Sequence, residues 1–303
     1  LAVSAGDRIG SSEVFSHEAM ATSFEISLVH PDKAYAEQAA IAAFNLLDQI
    51  EADLSKYIPN SDISRLNVAS QGDVIRLNPL TYKCLEQSLA LAEKTFGAFD
   101  VNVGKRMEHE NDNSEKTIEH PPGRYLPLAQ TIKLGNDFTA LILSDDVAID
   151  LGGIGKGFAI DQMVAILQRW GIEYGFIHSG TSTARALQSP APPLGWSVSI
   201  TNPFQPEEII HTVRLDNNAI GCSGTIHRQH IIDPRTSLAV TRAKMVWVTC
   251  QTALEADALS TALVVLNSRE LERFFNFNKN CGAIIAMEAN DGSFQINRWG
   301  SLK

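Results

Sequence analysis

The stretch Ala148 to Trp170, AIDLGGIGKGFAIDQMVAILQRW, constrains the fold more than any other part of the chain. Val147, Ile149 and Leu151 alternate with the period of a strand. Four glycines follow between positions 152 and 157, with Lys156 among them. Ile160, Met163, Val164 and Leu167 then recur at helical spacing, and Gly171 stops the run. The pattern predicts strand, glycine loop, helix. Such a loop brings bare backbone N–H groups against a ligand, and its lysine suits phosphate. The familiar fingerprints do not fit. A Walker loop needs Ser or Thr after the lysine, where this chain has Gly157, and the dinucleotide fingerprint needs Gly where Phe158 stands. The glycines alone leave open a tight turn with no ligand.

Periodicity along the rest of the chain predicts strands over Val14–Val29 and a long helix over Ala34–Tyr57. An Asp-capped short helix at 61–67 and a helix from Asn78 through Phe96 follow. Two strands over Leu141–Leu151 lead into the glycine loop. Strands are then expected at Tyr174–His178, Gly195–Thr201, Ile209–Leu215, Ala219–Cys222 and Met245–Cys250. Helices at Ala253–Leu266 and Ser268–Phe275 precede strands at Cys281–Met287 and Phe294–Asn297. Long helices among many strands argue for an α+β fold, with mixed or antiparallel sheets and packed helices, rather than a doubly wound parallel sheet. Residues 1–12 read as a loose leader and 108–123 as an exposed acidic insertion ending in proline.

Charge narrows the function. The chain of 303 residues carries 35 acidic against 25 basic side chains, a net charge of −10. That excludes a sequence-independent nucleic-acid binder, which needs a basic face. A phosphate ligand would require positive charge concentrated locally. No apolar run is long enough to span a membrane. Cys84, Cys222, Cys250 and Cys281 are scattered without a CxxC pair, which argues against zinc. Their apolar surroundings favour buried thiols over disulfides.

Among candidate chemical groups, Asp257 and Thr261 stand at i and i+4 on an otherwise apolar helix. They share a face and offer hard oxygens, too few for calcium but suited to magnesium, which completes its shell with phosphate and water. A surface Asp beside a Thr bonded back to its own helix is the competing reading. His230 before IIDPRT is either an acid/base or a structural histidine. Asp100 in GAFDVNVG is either a cap or a ribose ligand. Ser223 with His227 and His230 lacks a nucleophile elbow, so a hydrolase triad has little support.

Taken in order, the motifs resemble those of the FAD:protein FMN transferase family, also called the ApbE or thiamine-biosynthesis-lipoprotein family. MATSFEI (20–26), LSKYIPNSDISRLN (54–67), GAFDVNVG (97–104), DLGGIGKGFAID (150–161), HIIDPRTS (230–237) and ADALSTAL (256–263) each match a family motif. The resemblance implies an ApbE-like, T-fold-like architecture over 13–303, a single domain or two subdomains with the FAD site between them. It implies Mg²⁺-dependent transfer of FMN from FAD to a threonine hydroxyl of an acceptor protein, releasing AMP. It places Met20, Tyr57 and Ala98-Phe99-Asp100 around the adenosine half, with Asp150 and Lys156 also holding FAD. Gly153, through its carbonyl, would join Asp257, Ser260 and Thr261 around the metal, and His230 and Ile231 would lie near the phosphates or flavin. His230, Asp257 and Lys156 are the expected catalytic groups.

The resemblance also implies an acceptor flavoprotein of a membrane redox complex and a site of action in the periplasm or on the outer face of the membrane, lipid-anchored through an upstream segment. The chain departs from the family pattern at His178-Ser179-Gly180-Thr181-Ser182, at the short connection Ile226–Gln229, at Gly155 where the family has Ala, and at Ser237 where it has Gly. These departures leave two alternatives, an FAD pyrophosphatase giving FMN and AMP, and a non-catalytic flavin-binding protein.

Overall fold

A computed structural model describes residues 12–104, 125–190, 195–226, 231–241, 244–288 and 294–302. The expected acidic insertion, residues 1–11 of the leader, and His230 lie outside these. The chain opens with the hairpin β1 (Glu13–Ala19) and β2 (Thr22–Val29), then α1 (Lys33–Leu54) and α2 (Asp62–Asn67). A small sheet of β3 (Val74–Arg76), β4 (Ile132–Leu134) and β5 (Thr139–Ile142) is interleaved with α3 (Pro79–Lys94) and α4 (Leu128–Thr131). Then come α5 (Gly155–Arg169), β6 (Tyr174–Ser179), β7 (Thr183–Ala186), the hairpin β8 (Trp196–Asn202) and β9 (Gln205–Leu215), and β10 (Ala219–Gly224). β11 (Ile232–Asp233) and β12 (Leu238–Ala239) form a short ribbon. The chain ends with β13 (Lys244–Cys250), α6 (Ala253–Val265), α7 (Ser268–Phe277), β14 (Gly282–Glu288) and β15 (Phe294–Gly300).

Eight strands form one sheet in the order β1-β2-β6-β7-β10-β13-β14-β15, each neighbouring pair antiparallel. The expectation of an α+β fold with antiparallel sheets holds. Alternation along each strand splits the sheet's two faces. Ile26, Ile177, Val246, Val248 and Ile285 join the core beneath α1, α5 and α6. Phe176, Ile220, Trp247 and Ile284 face the other way, under the β8–β9 hairpin with Val198 and Val213. The helix α6 is apolar nearly all round and lies buried between the sheet and α5, as such a sequence must. Each fully buried Leu there, such as Leu259, contributes about 1.5–3 kcal/mol by burial.

Two close approaches set the spacing of these layers. A Cβ on Gly221 of β10 would stand 2.2 Å from the Ala256 carbonyl oxygen, and one on Gly157 of α5 would stand 2.3 Å from that of Ala253. Both glycines let α6 sink onto its neighbours.

The segment before α5 differs from expectation. Of the two strands expected over Leu141–Leu151 only the end of β5 forms, and Val147–Leu151 joins no sheet. Its backbone is held instead by asparagine side chains and loops. Asn102 Oδ1 accepts from Ala148 N–H at 2.6 Å, and Asn67 Oδ1 from Ile149 N–H at 2.7 Å. Asn67 Nδ2 returns a bond to the Ile149 carbonyl at 3.0 Å, and Asp150 N–H donates to the Val101 carbonyl at 2.8 Å. Every buried backbone group still needs a partner, and asparagine supplies donor and acceptor together. The glycine loop is also shorter than expected, since Gly155 and Gly157 belong to α5. Ser61, not an aspartate, caps α2 by accepting from Ser64 N–H, while Asp62 binds Arg65 and Asn78 N–H. The four cysteines are free and buried, as expected.

Candidate functional site

Asp257 projects from α6 and is 2% exposed, so it is no surface aspartate. Each carboxylate oxygen has one fixed donor. Thr183 Oγ1 donates to Oδ1 at 2.9 Å, and Gly157 N–H donates to Oδ2 at 3.0 Å. One turn on, Thr261 shares the helix face, as i,i+4 spacing requires. Gly153 lies against it, since a Cβ there would stand 3.4 Å from Thr261 Oγ1 and 3.5 Å from the Phe99 ring. Ser223 of β10 completes the cluster, because it follows Gly221 by two and so faces α6. Its Oγ lies 2.7 Å from Ser260 Oγ and 3.0 Å from Thr261 Oγ1.

These groups border a cleft of about 320 Å³ whose wall includes Asp257, Thr261, Ser223, Gly153, Lys156 and Phe99. Ala98, Asp100, Asp150 and Ile231 also line it. Ser260, expected among the metal ligands, is fully buried behind this wall, and its hydroxyl donates to the Asp257 carbonyl at 2.8 Å. Ser223, not expected at the site, takes the position on the wall. Among the described residues no group of three His, Cys, Asp or Glu side chains could hold a metal ion. A metal beside Asp257 and Thr261 would draw on few protein ligands, a carboxylate with hydroxyl and carbonyl oxygens. That is an all-oxygen, water-completed set of the kind magnesium takes, and it does not suit zinc.

A second cavity of about 220 Å³ adjoins the first, its wall including Met20, Glu51, Lys56 and Tyr57. Asp150, Gly152 and Lys156 line both cavities and form the neck between them. Asp150 accepts from Gly152 N–H at 2.8 Å and pairs with Lys56 Nζ at 3.1 Å. Lys156 Nζ donates to the Gly152 carbonyl at 3.0 Å. The two cavities bring Lys56 and Lys156 together against the carboxylates Glu51, Asp100, Asp150 and Asp257, so the expected local excess of positive charge is not seen among the described lining residues, and Lys56 is a cation that sequence reasoning missed. Pockets for ligands of moderate size span about 300–1,000 Å³, and two joined compartments of this size suit a two-part ligand.

The remaining expected residues sort by what they touch. Tyr57 is 81% exposed and offers its ring at the rim. Met20 and Ala21 form the β1–β2 turn with φ of 50° and 56°, a left-handed geometry costly for non-glycine residues. The turn is tied down by Met20 N–H donating to Glu51 Oε1 at 2.7 Å. Asp100 is committed to the backbone, accepting from Asn102 N–H at 2.7 Å and from Leu128 N–H at 3.1 Å. Burial pushes its carboxyl above the usual value, against the pull of those N–H groups. These bonds hold the backbone at Asn102 and Leu128, while Asp100 also lines the cleft. Ala98 and Phe99 line the cleft with little exposure, and the Ile231 carbonyl accepts from Val240 N–H. The expected role of His230 lies outside the described residues. Cys222 also borders the cleft, but burial pushes its thiol up to about 12, so it is no nucleophile near neutrality.

Behind the wall, β7 braces the two helices. Thr183 and Arg185 point to the same side of the strand. Arg185 pairs with Asp161 of α5, whose carboxylate accepts from Ala253 N–H and Leu254 N–H at 2.9 Å and so caps α6. At the far end of α6, Lys244 Nζ donates to the carbonyls of Leu263, Val264 and Leu266. The helix carrying Asp257 and Thr261 is thus fixed at both ends.

Comparison with known proteins agrees with this geometry. The ApbE family model matches residues 20–285. A FAD:protein FMN transferase of Klebsiella pneumoniae is 25% identical over 283 residues, covering 86% of this chain and 80% of the relative. One from Buchnera aphidicola (subspecies Schizaphis graminum) is 26% identical over 247 residues, covering 74% and 72% respectively. The structure of the flavin transferase ApbE from Vibrio cholerae superposes with a TM-score of 0.81 at 22% identity, covering 96% of this chain and 98% of that one. The ApbE protein of Thermotoga maritima gives a TM-score of 0.79 at 22% identity, covering 94% and 96%.

Proposed function

The chain belongs to the ApbE family, and we propose that it is an FAD:protein FMN transferase, moving FMN from FAD to a threonine hydroxyl of an acceptor protein with release of AMP. The supporting observation is the convergence of Asp257, Thr261 and Gly153 on one cleft wall, joined through Lys156 to a second cavity. Magnesium held by Asp257, Thr261 and the Gly153 carbonyl would supply charge neutralisation on the pyrophosphate. The adenosine half would occupy the cavity with Met20 and Tyr57, its base on the Tyr57 ring. Lys156 lies between the compartments, where the pyrophosphate would cross, and would stabilise charge on the departing AMP. The acceptor hydroxyl must lose a proton as its oxygen bonds to phosphorus and the P–O bond to AMP breaks. His230 is assigned that proton, because it directly precedes Ile231 on the cleft wall. Asp257 is assigned to the metal rather than to the proton, its carboxylate aimed by the Thr183 hydroxyl and the Gly157 N–H. The acceptor is proposed to be a flavoprotein of a membrane redox complex, and the site of action the periplasm or outer membrane face.

The test incubates the chain with FAD, Mg²⁺ and a threonine-bearing acceptor domain, reading flavin fluorescence on a denaturing gel and AMP release. Labelled acceptor, lost on chelation and in Asp257→Ala, is expected. AMP without labelling would replace the reading with an FAD pyrophosphatase. Bound FAD with neither product would replace it with a flavin-binding protein.

A further inference from the structure

We infer that Lys56 selects for the phosphorylated adenine nucleotide half of the ligand, by holding a cation between the base-stacking ring and the neck of the site. The inference rests on the dinucleotide reading above. Lys56 directly follows Ser55, the C-cap of α1, and its side chain is only 10% exposed although it ends in a charge. A lysine is rarely held that far from water without a task or a partner. Its Nζ lies 3.1 Å from Asp150 Oδ2 and 5.0 Å from the centroid of the Tyr57 ring. It therefore touches the neck on one side and the exposed aromatic rim on the other. Tyr57 at 81% exposure has little else to fix its ring, and a cation over one face leaves the opposite face for a base.

Two roles are compatible with these contacts. As a mere counter-ion for Asp150, Lys56 would matter equally to every ligand of the pocket, and to stability. As a phosphate-selecting cation, it would matter only to ligands that bring negative charge next to adenosine. The placement favours the second. Asp150 already accepts from Gly152 N–H, and Lys156 stands on the same neck, so two lysines flank one carboxylate where both cavities meet. Glu51, the other carboxylate of the cavity, accepts from Met20 N–H. An anionic group crossing the neck meets two lysines around the single carboxylate of Asp150, and charged hydrogen bonds are the strong ones.

Calorimetric titration without acceptor separates the roles, using adenosine, ADP, FMN and FAD against the wild type, Lys56→Met and Lys56→Arg. Losing one charged hydrogen bond predicts that Lys56→Met weakens ADP and FAD about 10-fold. Adenosine and FMN should bind as before, and Lys56→Arg should recover most of the lost affinity. Equal weakening of all four ligands, or unchanged ADP binding, overturns the inference while leaving the dinucleotide reading in place. Failure of the wild type to bind FAD or ADP overturns both.

Discussion

Thr183 Oγ1 donates to Asp257 Oδ1 at 2.9 Å across 74 residues of sequence. The Gly157 N–H holds the other carboxylate oxygen, so the aspartate at the centre of the site is aimed by a strand and a helix it does not belong to. Replacing Thr183 by Val keeps the shape and removes the donor, which should cost about 1–3 kcal/mol for the buried oxygen left without it. Partners behind a metal ligand of this kind change metal affinity by about 10–100-fold. Isothermal titration with Mg²⁺ should show that loss in Thr183→Val and a smaller one in Thr183→Ser. Wild-type metal affinity in a folded Thr183→Val would refute the positioning role.

The two glycines of α5 should respond in opposite ways to alanine. At Gly157 the added methyl group would meet backbone, 2.3 Å from the Ala253 oxygen, so the helices must separate. Such overpacking costs about 1–3 kcal/mol. At Gly155 the nearest atom is 3.8 Å away, ordinary contact, and the better helix former should add about 0.5–1 kcal/mol. Urea unfolding of the two variants checks the contrast in sign.

Asp161 and Arg185 form a pair at 12% and 14% side-chain exposure, and the aspartate also caps α6. Asp161→Leu leaves the arginine uncompensated and removes the acceptor for two first-turn N–H groups, although Thr252 still accepts from Glu255 N–H, a change expected to cost about 3–5 kcal/mol. Adding Arg185→Met should restore part of that stability, because the orphan charge goes with it. A double variant no more stable than the single one would show that the cap, not the charge, dominates.

Acidity should act on Asp100 in a definite direction. Burial raises its carboxyl above the ordinary 3.8, so the folded chain holds that proton more tightly than the unfolded chain does. The stabilisation from this group is complete below the unfolded value and is lost as pH rises through the folded one. The stability difference between the wild type and Asp100→Asn should therefore shift toward the wild type as the medium is acidified from about pH 6 to about pH 4. Denaturant titrations across that window check this, and a constant difference would contradict the raised carboxyl.

Much of this protein is legible before folding. Apolar periodicity gives α1, α3, α5 and α6 to within a few residues, because each helix buries one face or, in α6, nearly its whole surface. The i,i+4 pair Asp257 and Thr261 is also legible, since helical geometry alone puts both on one face. Less visible are the elements whose partners are distant. β7 holds only four residues, Thr183–Ala186, and its apolar positions are alanines with weak strand propensity, so its alternation is too short and too faint to announce a strand. Val147–Leu151 alternates like a strand, yet Asn67 and Asn102 satisfy it in place of a neighbouring strand. Alternation reports which side of a chain is buried, not who accepts its hydrogen bonds.

By itself, then, the sequence determined the long helices, most of the longer strands and the family, and named candidates for holding a metal and a phosphate. Those follow from local periodicity and from motifs that survive without coordinates. Only the tertiary structure decided which groups meet. It placed Ser260 behind the cleft wall and Ser223 on it, turned Asp100 to its backbone partners, and brought Lys56 to Asp150. The physical reason is that Gly221 and Gly157 let α6 approach β10 and α5 closely, so that hydroxyls, carboxylate and backbone from separate parts of the chain line one cleft.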